Sequence, residues 1–188
     1  MAIKANDKIY FDSDCLSCFL WTNSVAQILL QLYKNNIYVP GIVKDEIYKI
    51  PVLKSRLQPY IDKNVIKEDI MPLSSDEFKL FRHLIIGDDD NPKIDKGEAA
   101  VISYAYCNDS MMASNNLSDI SYYIKYYKLK NLTVADILYE ANVKGIITED
   151  EAEAYWQEML LKRRRKLPNT SYKDWVKLNK KKVKLACV

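Results

Sequence analysis

Lys8-Ile9-Tyr10-Phe11-Asp12-Ser13-Asp14-Cys15-Leu16 is the stretch on which the fold turns. Ile9, Tyr10 and Phe11 favour extended backbone, the run ends on Asp12, and Asp14 offers an N-cap to a helical segment through Cys15 and Phe19. The same unit of strand, polar break and helix recurs along the chain. Asn23 or Ser24 caps a helical stretch in which Ile28, Leu29 and Leu32 repeat. Ile37-Tyr38-Val39 is a short strand closed by Pro40-Gly41, after which Val43, Ile47 and Ile50 form a helical stripe that stops at Pro51. A third strand is expected over 64–71, closed by Pro72. Ser74 or Ser75 then caps a helix through Phe78, Phe81 and Ile85, broken at Gly87 and Asp88-Asp89-Asp90. Asp95-Lys96-Gly97-Glu98 opens an alanine-rich helix to about Cys107, and a fourth strand is expected over 110–113. A helix holding Ile120, Tyr123, Ile124 and Tyr127, a fifth strand over 131–134, and helices near 135–143 and 148–161 complete the series. Short strands alternating with helices predict an α/β fold, a three-layer α/β/α sandwich around a mainly parallel five-stranded sheet.

Composition narrows the chemistry. With 188 residues and 48% hydrophobic content, the chain is long enough for one domain with a core and short for two. The longest uncharged stretch, 15–33, carries Ser17, Thr22, Asn23, Ser24, Gln27 and Gln31, too polar for a spanning helix, and no signal-peptide pattern precedes it. A soluble, cytoplasmic protein without membrane contact is expected. The four glycines, Gly41, Gly87, Gly97 and Gly145, are too far apart for a dinucleotide fingerprint, a phosphate loop or a nucleophile elbow. A single histidine, His83, excludes a zinc site with several imidazole ligands. What remains in quantity is carboxylate, with 25 Asp plus Glu.

The net charge of +3 hides an asymmetry. Residues 162–188 hold eleven Lys and Arg against one acid, Asp174, leaving 17 basic and 24 acidic residues in the rest. An acidic body with a basic tail suggests a catalytic or metal-binding globule plus an arm for a polyanion. Lys162, Arg163, Arg164, Arg165 and Lys166 are the candidate nucleic-acid contacts, with Tyr172 and Trp175 as stacking groups further on. The plain alternative is a solvated tail, or one that packs Trp175, Val176 and Leu178 on the body.

Cys15-Leu16-Ser17-Cys18 has the spacing of a thioredoxin-like redox pair. Cys107 and Cys187 are isolated, so the second pair of a zinc site is missing. Phe19, Leu20 and Trp21 follow directly, which reads as a buried helix whose thiols act as small apolar groups.

In parallel sheets of this kind ligands collect beyond the carboxyl ends of the strands, at the switch point of the strand order. Four acids are candidates for that place. Asp12 ends the first strand; Glu46 interrupts an apolar stripe between Ile42 and Ile50; Glu98 shares a face with Val101, Ile102 and Ala105; Asp119 opens the helix after the fourth strand. Carboxylates sharing a cleft repel one another unless a cation is present, and oxygen-only ligands suit Mg²⁺ or Mn²⁺. Each acid also has a plain structural role: Asp12 as a helix cap, Glu98 as a first-turn acid, Glu46 as a partner of Lys49.

These strings resemble the PIN-domain nucleases. Ile9-Tyr10-Phe11-Asp12-Ser13-Asp14-Cys15-Leu16 is similar to that family's first motif, an apolar strand ending on a metal-binding Asp. Val39-Pro40-Gly41-Ile42-Val43-Lys44-Asp45-Glu46-Ile47 is similar to its V-P-x-x-V-x-x-E-I segment, and Asp95-Lys96-Gly97-Glu98-Ala99-Ala100 to its G-E-A motif. Met112-Ala113-Ser114-Asn115-Asn116-Leu117-Ser118-Asp119 is similar to the fourth-strand motif. Ala135-Asp136-Ile137-Leu138, Lys144-Gly145-Ile146-Ile147 and 158–168 resemble the C-terminal helices of a subgroup related to bacterial toxins. The charge asymmetry sets the boundary between a nuclease domain over 1–161 and a basic tail over 162–188. The resemblance covers roughly 8–168 and implies the strand order three-two-one-four-five. It implies a Mg²⁺- or Mn²⁺-dependent endoribonuclease in which Asp12, Glu98 and Asp119 hold the metal and Glu46 holds a second ion or orients water. It further implies an RNA substrate, a toxin–antitoxin or defence role with an antitoxin or regulatory protein as partner, and leaves a homodimer open. Many members carry Asp where this chain has Asn116. Either Asn116 is a neutral ligand beside Asp119, or the site is weakened into a binding module.

Overall fold

β1 (Ile9–Phe11) is buried on both faces, which makes it the middle of the sheet. It pairs in parallel with β2 (Ile37–Pro40) on one side and β4 (Met111–Ala113) on the other. β3 (Lys67–Asp69) and β5 (Lys130–Leu132) close the edges, so the order is β3-β2-β1-β4-β5, parallel throughout. The edges carry Lys67, Glu68, Asp69 and Lys130, charges that discourage pairing with another chain. Helices cover the sheet in a three-layer α/β/α sandwich, as the alternation predicts. The computed structural model describes residues 7–87, 92–163, 167–168 and 170–183. The expected break at Asp88-Asp89-Asp90, the basic residues Arg164, Arg165 and Lys166, and Cys187 lie outside the described residues.

α1 (Ser13–Trp21) starts one residue after β1, and its N-cap is Asp12, not Asp14. The Asp12 N–H donates to the Ala113 carbonyl at 3.0 Å, which holds Asp12 extended, and its Oδ1 accepts from Cys15 N–H at 2.5 Å. Pairing with β4 therefore decides which acid caps. A π-helical turn over Val25–Leu29 leads into α2 (Leu30–Tyr33). After β2 come α3 (Gly41–Tyr48) and α4 (Pro51–Asp62). Pro51 begins α4 instead of simply ending a stripe, because the first position of a helix needs no N–H donor.

α5 (Asp76–Ile86) is capped by Ser75, which accepts from Phe78 N–H at 3.2 Å, and ends on Gly87 at φ +72. α6 (Lys96–Cys107) buries Gly97 and every residue from Ala99 through Ala105, its small side chains allowing close approach to the sheet. α7 (Leu117–Tyr126), α8 (Val134–Val143) and α9 (Glu149–Arg163) follow.

α10 (Tyr172–Val183) packs on α8 and α9. Tyr172 is fully buried beside Trp156, whose Nε1 donates to the Thr170 carbonyl at 2.6 Å. Trp175 and Val176 join the core, whereas Leu178 is exposed. The packing thus crosses position 161, the boundary expected from charge. Among the described residues no single helix is long and apolar enough to cross a membrane; α1 and the Val25–Tyr33 segment meet at 109° and bury most of their apolar side chains.

Candidate active site

The strand order reverses between β1 and β4, and both strands point their carboxyl ends the same way. Asp12 leaves β1 there, and Ser114, Asn115 and Asn116 leave β4 directly beside it. The N-terminus of α6 brings Glu98, the first turn of α7 brings Asp119, and α3 brings Glu46. A cleft of about 550 Å³ opens at this end, bordered by Asp12, Asp14, Glu46, Lys93, Lys96 and Glu98.

Asp12 is 4% exposed. Burial pushes its carboxyl up to about 7, and the charges of Asp14 and Glu98 add to the shift. Hydrogen bonds from the Ser114 hydroxyl and the Cys15 amide pull the other way without offsetting burial. Asn116, also buried, uses its Nδ2 to donate to Glu98 Oε1 and, at 2.5 Å, to Asp119 Oδ2. Ser118 Oγ donates to Asn116 Oδ1 at 3.0 Å and to Asp119 Oδ1 at 2.9 Å. Asn116 N–H in turn donates to Ser114 Oγ at 3.3 Å, so Ser114 joins Asp12 to the Asn116 group.

Glu46 approaches from the other side. A Cβ on Gly97 would lie 2.8 Å from Glu46 Oε2, so the missing side chain at 97 is the space that the Glu46 carboxylate fills. The G-E pair of the sequence therefore has two separate duties, room for one acid and the position of the next.

The site residues are thus brought to one end of the sheet, but not as a closed ligand set. Among the described residues no three His, Cys, Asp or Glu side chains form a group that could hold a metal ion as they stand. Glu98 and Asp119 are bridged by Asn116, and Asp12 is turned toward the cap of α1. Asn116 presents its donor, not the carbonyl expected of a neutral ligand. The donors nevertheless fit a hard cation. Asp12 is held up to about 7 among acids, and amide hydrogens offset the charges of Glu98 and Asp119. A half-turn of the Asn116 amide exchanges its NH₂ for a carbonyl oxygen.

No family model matches the chain, and no curated protein does.

Three features escaped the reading of the sequence. Ser114 has no signal of its own, because its contact with Asp12 exists only across β1 and β4. Lys93 and Lys96 border an acidic cleft as exposed cations, suited to a phosphate. Asp14 is a charged neighbour of Asp12 rather than a cap. Of the basic candidates, Lys162 is exposed with its ammonium 5.8 Å from the Trp21 ring centre, and Arg163 is the last residue of α9. Cys15 and Cys18 are not joined in a disulfide and are fully buried, and burial drives the Cys15 thiol well above its ordinary range, the opposite of a redox thiolate.

Proposed function

We propose that this protein is a Mg²⁺- or Mn²⁺-dependent ribonuclease. The observation that carries the reading is the buried Asp12, pushed up to about 7 at the switch point, in a cleft that also presents Glu98. Asp12, Glu98 and Asp119 would hold the cation, with Asn116 as a neutral fourth group. When bound, such a cation polarises a phosphoryl oxygen and makes water a better nucleophile at neutral pH.

The protein's own groups do the rest. Lys93 and Lys96 on the cleft rim attract and orient the phosphate. Glu46, seated against Gly97, orients the attacking water or takes its proton. Ser114 and the Cys15 amide fix the Asp12 carboxylate. RNA cleavage with and without Mn²⁺ tests the proposal on the wild type, Asp12→Asn and Glu98→Gln. Each substitution is expected to lower the rate by at least about a hundredfold. Full activity in either variant refutes it.

A second reading is a catalytically silent RNA-binding module. It is favoured by the Asn116 amide, which satisfies Glu98 and Asp119 without a cation. RNA binding with no cleavage at any Mn²⁺ concentration selects that reading. A toxin or defence role rests on the sequence resemblance alone; growth arrest by the wild type but not by Asp12→Asn would support it.

A further inference from the structure

A second cavity, of about 310 Å³, opens between the carboxyl ends of β2 and β3 and helices α3, α5 and α6. Ile42, Ile70, Phe78 and Phe81 give it apolar walls, and Asp69 and Tyr104 give it polarity. Tyr104 is 4% exposed, yet its hydroxyl has no hydrogen-bond partner among the described residues. Buried hydroxyls are ordinarily paired, and this one belongs to a residue that lines the cavity, so a ligand atom there could supply the missing partner. Its ring cannot turn away readily, being stacked on Tyr10 at 4.7 Å and 13°. Asp69 is fixed as an acceptor by Tyr10, whose hydroxyl donates at 2.8 Å, and by Lys8 at 3.4 Å. Of the other acids that line the cavity, Glu68 is tied to Lys44 at 2.7 Å, and Asp45 lies 3.9 Å from the same ammonium.

The cavity adjoins the acidic cleft. On α3, Ile42 lines the cavity and Glu46 the cleft; on α5, Phe81 and Ile85 divide the same way, as do Ala100 and Gly97 on α6. The two spaces are therefore about one helical turn apart, roughly 5.4 Å, on three helices at once. Such an offset suits a base splayed away from its own phosphate.

We propose that this cavity takes an amino-bearing nucleobase, adenine, cytosine or guanine, next to the phosphate in the acidic cleft. The planar ring packs among Ile42, Phe78 and Phe81, the exocyclic amine donates to Asp69, and the Tyr104 hydroxyl donates to a ring nitrogen or carbonyl. Uracil has no exocyclic amine and is disfavoured. The RNA strand in this picture rests on the ribonuclease reading; the base site does not.

The test uses the full chain, first with the four free nucleoside 5′-monophosphates, then with oligouridine carrying a single adenosine, cytidine or guanosine. Binding is followed by NMR at Tyr104 and Phe78. At least one amino-bearing nucleotide or oligomer is expected to bind at least fivefold more tightly than UMP or plain oligouridine. Tyr104→Phe, which removes only the orphan oxygen, is expected to weaken that binding at least threefold, and Asp69→Asn to abolish the preference. Response to the oligomers alone assigns the site to RNA, and response to the mononucleotides as well assigns it to the base itself. Binding that is absent, equal for all bases or indifferent to Tyr104→Phe overturns the base site, whether or not RNA is cleaved. Base-selective binding without cleavage in Mn²⁺ keeps the base site and refutes the ribonuclease reading.

Discussion

Asp12 gives the clearest opportunity to separate function from stability. Its carboxyl is moved from an ordinary value of 3.8 to about 7, chiefly by burial. At about 1.36 kcal/mol per unit, ionising it costs the cation-free native state about 4 kcal/mol relative to the unfolded chain. Between about pH 4 and 7 the native protein keeps a proton that the unfolded chain releases. The stabilisation is therefore full below pH 4, lost as pH rises through that window, and gone above it. Asp12→Asn removes the ionisation. Its amide oxygen still accepts from Cys15, but its NH₂ now faces the Ser114 hydroxyl, which must rotate to accept. Discounting for that exchange, the variant is expected to be about 1–3 kcal/mol more stable than wild type at pH 8. Urea denaturation in EDTA at pH 5 and pH 8 measures both proteins. A difference that is constant between the two pH values, or a variant weaker than wild type at pH 8, refutes the claim that burial holds Asp12 uncharged.

Asn116→Asp places a third carboxylate against Glu98 and Asp119; it is expected to lower the melting temperature in EDTA and to reduce the Mn²⁺ concentration for half-maximal cleavage. Calorimetry and a cation titration read the two effects, and a melting temperature unchanged by the substitution would show that the Asn116 bridge carries no charge repulsion. Gly97→Ala adds a favoured helix residue but drives its Cβ into the Glu46 carboxylate, so stability should hold while cleavage falls about tenfold or more; unchanged cleavage removes Glu46 from the mechanism. Truncation after Leu161 strips Leu167, Tyr172 and Val176 from the core and is expected to cost more than about 3 kcal/mol by urea denaturation. Glutamine at all five basic positions of 162–166 leaves those side chains in place and should flatten the salt dependence of single-stranded RNA binding by about 3.5 in log–log slope.

The sheet was legible because its middle strand is written in three apolar residues ending on an acid, and the helices after it begin on Pro, Ser or Asp–Gly signals. α4 was not, because Pro51 and Pro59 look like breaks, although one opens the helix and the other lies within it. The docking of α10 stood only as an alternative, through Trp175, Val176 and Leu178; the lysines obscured the face that packs, which Tyr172 and Val176, four residues apart, define. Asp12, Glu98 and Asp119 could be picked out because each stands at a strand end or in the first turn of a helix, and Glu46 because it interrupts an apolar helical stripe. Their connections could not. Ser114 meets Asp12, and Asn116 meets Glu98, across segments far apart in sequence, and no local pattern encodes which end of an amide faces an acid.

The same geometry eases the crowding of acids at one end of the sheet. Burial favours the protonated form of Asp12, Asn116 lends its amide hydrogens to Glu98 and Asp119, and Gly97 leaves room for Glu46. The first two arrangements are reversible, and a cation held by Asp12, Glu98 and Asp119 would undo both. Binding below about pH 7 must then release the Asp12 proton. The apparent Mn²⁺ affinity is therefore expected to rise about tenfold per pH unit up to about pH 7 and then to level off, with the released proton visible by titration calorimetry in buffers of different ionisation heat. Asp12→Asn has no proton to release, so its residual Mn²⁺ affinity should not change with pH over the same range. An affinity equally flat in the wild type would mean that Asp12 does not meet the cation, and would leave it as the cap of α1 and nothing more.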